Sequence, residues 1–176
     1  MVETMAAPVQ DIDREQAVKH LTAVISHLRS CSLTEARSGA RRCMDLLSAW
    51  MEPADTWQAP KLSLLDAKGY VGTVKESGHI YGLCPHHLVP YYGNYQLIFL
   101  PGPYLVGLSS ISRAVDSFCR KALLQESLTQ ELGEFFYQNL QPNNLEICIT
   151  ARHFCKEMGA TNHSSSTQGF VTRWQR

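Results

Sequence analysis

The chain has 176 residues, enough for one domain with a sizeable core, and its 16 basic and 16 acidic side chains cancel to a formal charge of zero. No global field therefore draws in nucleic acid, a membrane surface or an acidic partner, and any anion site has to be local. The six cysteines are too dilute for a disulfide scaffold, and neither a signal-length apolar stretch at the N-terminus nor a membrane-length apolar run occurs, which predicts a cytoplasmic protein with buried or metal-bound thiols.

Two amphipathic helices are expected first. Ala17, Leu21, Val24, Ile25 and Leu28 recur at helical spacing, and "SLTE" from Ser32 to Glu35 is a capping-box signature ahead of Ala40, Cys43, Met44 and Leu47. Each helix should bury one face. The Pro-rich connector "EPADTWQAP" then separates an N-terminal helical extension, residues 1–55, from a second region, residues 56–176.

That second region opens with short apolar runs that read as strands, including "KLSLL" and "YQLIFLP". Between strand-like segments lies "LCPHHLVP", Leu83 to Pro90, whose two prolines do not favour a plain strand, so a side-chain requirement is the better explanation. Helical spacing returns from Ser109 to Leu140 in two segments, with Ile111, Val115, Phe118 and Ala122 on one face, and Leu128, Leu132, Phe135 and Phe136 on the next. "NLEICITARHFC" is a strand, "NHSSSTQG" a polar loop, and "QGFVTRW" a further strand. The order predicts an α+β domain, an antiparallel sheet backed by the helix pair.

In the strand, Leu145, Ile147, Ile149 and Ala151 share one parity, and continuing it puts His153 and Cys155 on the apolar side. Cys84 and His87 stand three apart in the Pro-bent turn. Cys84, His87 and Cys155 are zinc-type donors that would leave one coordination position open, as a catalytic site requires. Burial as ordinary core residues accounts for them equally well at this point. Cys31, Cys43, Cys119 and Cys148 sit in periodic segments and read as small hydrophobes.

Four blocks in order, "CPHHLVPYYG", "GLSSISRAV", "LLQESLT" and "ARHFC", resemble the GTP cyclohydrolase I family over about residues 70–175. The resemblance implies the tunnelling fold: an antiparallel four-stranded sheet with two helices between its middle strands, assembling side by side into a barrel and a toroidal homodecamer with active sites at subunit interfaces. By resemblance Cys84, His87 and Cys155 match the zinc ligands, and His86 and His153 match the histidines that move protons. Gln125 and Glu126 match the guanine-recognition pair, while Ser109 and Arg113 match catalytic and phosphate-binding positions. The implied reaction opens the imidazole ring of GTP at C8, releases formate and gives dihydroneopterin triphosphate.

The phosphate clamp departs from the family pattern. Where the family carries a lysine after "GLS" and an arginine before the glycine that follows the H-x-C block, this chain has Ser110 and Met158, and Ser127 replaces a further arginine. A charge-assisted hydrogen bond to phosphate contributes about 1.5–3 kcal/mol, so two losses would weaken triphosphate binding by orders of magnitude. Three readings follow: a GTP cyclohydrolase with replacement cations, a relative acting on a purine or pterin with fewer phosphates, and a non-catalytic zinc-binding member. Retention of both His86 and His153 favours an enzyme.

Overall fold

The structure, a computed structural model, describes residues 13–51, 56–159 and 168–175. They fall into two compact units, within Met1–Glu52 and Pro53–Arg176. The extreme N-terminus, the start of the connector and most of the "NHSSSTQG" segment lie outside the described residues.

The first unit is a helix pair, α1 (Arg14–Arg29) and α2 (Leu33–Trp50). Asp13 caps α1 by accepting the Gln16 N–H at 2.8 Å, and Ser30 closes it in the left-handed region. Ser32 and Glu35 form the expected reciprocal capping box on α2. Val18 and Thr22 of α1 and Ala36 and Ala40 of α2 are the buried residues, and the small alanines suit close helix approach. Within this unit the predicted apolar face of α1 is only partly covered, with Val24 50% and Leu28 75% exposed.

The second unit has the expected α+β architecture. Strands β2 (Val74–Cys84), β3 (Val89–Leu100), β5 (Asn144–His153) and β6 (Gln168–Gln175) form an antiparallel sheet in the order β2-β3-β5-β6. Helices α3 (Leu108–Cys119) and α4 (Gln125–Leu140) are inserted between β3 and β5, the two middle strands. A short helix, α5 (Phe154–Gly159), follows β5.

Alternation decides which face the helices cover. On β5, Leu145, Ile147, Ile149 and Ala151 are buried, whereas Glu146, Cys148, Thr150 and Arg152 between them are half-buried. Ile111, Ala114, Val115 and Phe118 of α3 and Leu128, Leu132, Phe135 and Phe136 of α4 complete this core. Gly133 of α4 has to be a glycine, because a Cβ there would overlap the Trp174 ring from β6. The opposite sheet face is polar, with Ser77, His79, Asn94, Gln96 and Thr150 along it.

Three sequence expectations are corrected. "KLSLL" contributes only β1 (Leu64–Asp66), which pairs with β4 (Tyr104–Val106) in a separate two-stranded sheet; three-residue strands are too short to show a period. Ala122 is outside α3 with φ 51°, in the turn to α4, so it does not extend the α3 face. Cys155 is not on the strand, because β5 ends at His153 and the backbone enters α5 at Phe154.

Candidate active site

The chemistry-bearing residues gather where β2 ends and β5 ends. Cys84 closes β2 and is buried, 5% exposed, opposite Val89 of β3. Two residues on, Tyr91 pairs with His153, the last residue of β5. Cys84, Tyr91 and His153 share the parity of the core residues on their strands, so their side chains stand on the helix-covered face, as the alternation predicted for His153.

Between β2 and β3 the turn Pro85–Leu88 carries both remaining histidines. The Leu88 N–H donates to the Cys84 carbonyl at 2.9 Å, and Leu88 takes φ 53°, an uncommon conformation for a branched side chain that costs of the order of 1–3 kcal/mol. His86 and His87 are exposed at this turn with ring centroids 4.3 Å apart. Pro90 follows inside β3 opposite Leu83, so the proline-flanked segment is a tight connection between paired strands.

His153 is held by two neighbours. Its Nε2 lies 2.7 Å from Oε1 of Gln125, the first residue of α4, and Gln125 Nε2 donates to the Ile149 carbonyl at 2.9 Å. The Tyr91 ring stacks on the imidazole at 5.0 Å and 23°, and the Tyr91 hydroxyl donates to the Leu123 carbonyl at 3.2 Å. Gly82, across from Tyr91 on β2, makes room for that ring; a Cβ at Gly82 would overlap it. Burial lowers the His153 pKa from 6.5, with the Glu126 carboxylate opposing and Lys156 assisting. Burial likewise raises the Tyr91 hydroxyl above its usual 10, helped by Cys119, Cys84 and Glu126. Cys119 is pushed up to about 12 by burial, against a hydrogen bond from the Tyr81 backbone, and so stays a thiol as its core reading requires.

Not every predicted site residue joins this group. Glu126 is exposed beside it, at the second position of α4. Cys155 is half-buried in the first turn of α5. Ser109 and Arg113, by contrast, stand in the first half of α3, whose far end, Cys119, meets β2 at Tyr81. At 1.5 Å per residue, Arg113 is about 9 Å and Ser109 about 15 Å along the helix from that contact. Ser110 is buried, 2% exposed; its Oγ accepts the Ser63 N–H at 3.1 Å and an Arg113 Nη2 proton at 3.3 Å. Met158 is 76% exposed.

Among the described residues no three His, Cys, Asp or Glu side chains stand close enough together to hold a metal ion. The donor chemistry nonetheless fits zinc, since two thiols and an imidazole, Cys84, Cys155 and His87, are the ligand types that ion takes; Cys84 ends β2, His87 stands in the turn after it, and Cys155 lies in the helix that follows β5. Sequence reasoning missed Tyr91. The signal was available: counting by twos along β3 from Val89 places it on the same face as Cys84.

An antiparallel four-stranded sheet with a helix pair between its middle strands, and histidine and cysteine side chains toward one end, defines the tunnelling fold. The chain belongs to the GTP cyclohydrolase I family, whose profile matches residues 16–174. Proteins named GTP cyclohydrolase 1 are similar to it: that of Campylobacter jejuni is 37% identical over 87 residues, 49% of this chain and 46% of that protein. The Leptospira biflexa protein is 34% identical over 87 residues, 49% and 48% of the two chains, and the Bacteroides fragilis protein 33% over 86 residues, 49% and 44%. The chain thus spans about half the length of the curated relatives it matches. Among solved structures, the apo form of the archaeosine synthase QueF-Like aligns with 57% of this chain and 91% of that one, with TM-score 0.49 and 14% identity.

Proposed function

We propose that the protein is a cytoplasmic, zinc-dependent cyclohydrolase that opens the imidazole ring of GTP at C8, releases formate and yields dihydroneopterin triphosphate. The observation that carries this reading is His153: a half-buried imidazole bonded to Gln125 and stacked on Tyr91, at the end of the sheet that also carries Cys84. A histidine with only a packing role does not need such a set of constraints.

In this reading Cys84, His87 and Cys155 hold zinc, whose Lewis acidity makes water reactive at neutral pH. His86, exposed on the turn, protonates the purine ring, and His153 serves the later proton transfers. Glu126 accepts from the guanine ring N–H and exocyclic amine; adenine would leave that acceptor unpaired, which is a strong basis for rejection. Ser109 and Arg113 enter from a neighbouring copy, consistent with their distance from the His153 end of their own chain. The outer edges of β2 and β6 have no strand partner among the described residues, which suits side-by-side assembly into a barrel and the family's homodecamer.

A second reading has its own observation. Ser110 is buried and bonded to Arg113, and Met158 carries no charge, so two positions of the expected triphosphate clamp offer no cation. That favours a purine or pterin with fewer phosphates. The deciding experiment offers GTP and guanosine side by side to purified, zinc-counted protein and follows formate and pterin fluorescence. Formate and a pterin from GTP support the first reading; turnover of guanosine alone supports the second. Full zinc occupancy with no formate from either would sink both.

A further inference from the structure

We infer that Gln125 is a positioning residue that fixes His153 as its Nε2–H form and leaves Nδ1 as the proton-accepting nitrogen. The deduction uses only what each atom can donate or accept. Gln125 is 1% exposed, so its amide needs protein partners at both ends. The end 2.9 Å from the Ile149 carbonyl must be the NH2, because a carbonyl oxygen can only accept, and turning the amide over would set two acceptors against each other. The other end is therefore oxygen. It lies 2.7 Å from His153 Nε2, and an oxygen that only accepts requires that Nε2 carry the proton. In the neutral ring Nδ1 is then the lone-pair nitrogen.

The neighbouring structure keeps the ring from escaping this arrangement. Tyr91, 1% exposed, stacks on one side of the imidazole and is anchored by its hydroxyl to the Leu123 carbonyl, two residues before Gln125. Thr129 Oγ1 donates to the Gln125 backbone carbonyl at 2.7 Å, adding a hold on the first turn of α4. The start of α4 thus sets both the ring plane of His153 and its tautomer, while the same first turn presents Glu126 outward. The resemblance pairs Gln125 with Glu126 in reading guanine; in the fold the Gln125 amide also bonds His153 and the Ile149 carbonyl. The catalytic consequence, proton acceptance at Nδ1, rests on the cyclohydrolase reading above, whereas the tautomer does not.

The test is a long-range 1H–15N spectrum of the full-length protein with 15N-labelled histidine, His153 being assigned by its loss in His153→Gln. The expected signature is one protonated nitrogen at Nε2 and an unprotonated Nδ1. A wild-type spectrum with the proton on Nδ1 overturns the inference whatever any variant does. Gln125→Met, close in shape and without hydrogen-bonding groups, is expected to give a mixture of tautomers. A Gln125→Met protein that retains pure Nε2–H shows that Gln125 does not set the tautomer. Because the readout is spectroscopic, its failure is distinguishable from failure of the cyclohydrolase reading, which formate release decides.

Discussion

Substituting Gly82 by alanine tests whether the core and the His153 end of the sheet are one construction. A Cβ at Gly82 would overlap the Tyr91 ring, and that ring cannot swing away freely, being 1% exposed and tied through its hydroxyl to Leu123. Overpacking of this kind costs about 1–3 kcal/mol, and loss of the Tyr91 hydrogen bond adds about 1 kcal/mol. Alanine returns roughly 0.5–1 kcal/mol by stiffening the unfolded chain. The net is a destabilisation of about 1–3.5 kcal/mol, which for a unit of this size lowers Tm by roughly 4–14 °C. The assay is a thermal double-mutant cycle with Tyr91→Leu, which removes the overlapping ring. In the Tyr91→Leu background Gly82→Ala should cost little, giving a coupling energy well above the roughly 0.5 kcal/mol that independent sites show. Equal costs in the two backgrounds would refute the steric argument, and with it the claim that Gly82 is there to seat Tyr91.

Cys155→Ala should remove both bound zinc and turnover, whereas His86→Ala should retain zinc, counted by atomic absorption, and lose turnover by about 100-fold or more; intact turnover in His86→Ala would remove that histidine from the mechanism. Ser110→Lys should destabilise the fold by about 3–5 kcal/mol and not restore a phosphate clamp, because it places an unpaired ammonium where a hydroxyl serves Ser63 and Arg113. Normal melting together with tighter GTP binding would show that this position opens to the substrate. On α2, the Ser32 side chain and backbone hold the Glu35 carboxyl below its ordinary 4.5. A group depressed on folding contributes stability that is present above its unfolded value and lost as pH falls through its folded value, so capping of α2 should weaken below about pH 4.5. Circular dichroism against Glu35→Gln, whose helix content should be flat over that window, checks the sign.

Much of the fold was legible because period and parity are local. Leu145 to Ala151 alternate in the sequence as they do in β5, and the one rule that buries Ile149 also turns His153 toward the helices. Ser32 and Glu35 announce the α2 cap because both partners lie within one turn. What was not legible depends on tertiary placement. Gln125 meets His153 across 28 positions of chain, and no spacing rule pairs a helix's first residue with a strand's last. Cys155 was assigned to the strand face because the parity argument has no means of sensing that the backbone turns helical at Phe154. Ser110, read as the place of a missing lysine, is in the fold a buried hydroxyl with two partners, a placement that no spacing rule gives.

The residues around His153 are interlocked in a way that Met158 is not. His153, Tyr91, Gly82 and Gln125 are interlocked by a ring stack, a close backbone approach and a buried amide, so altering one displaces the others, and each lies in or against the helix-covered core. The clamp positions have no such interdependence at Met158, which projects into solvent, and at Ser110 the interactions run toward Ser63 and Arg113 and not toward His153. Substitution at Met158 leaves the core intact. On the cyclohydrolase reading, loss of the cations expected at Ser110 and Met158 leaves the residues around His153 in register, and the number of phosphates on the substrate is the property it would alter. Comparing kcat/KM across guanosine and its mono-, di- and triphosphates measures that freedom directly: a rise of less than about tenfold along the series means the clamp contributes under about 1.4 kcal/mol, whereas a steep rise means other cations have taken the place of the two that are missing.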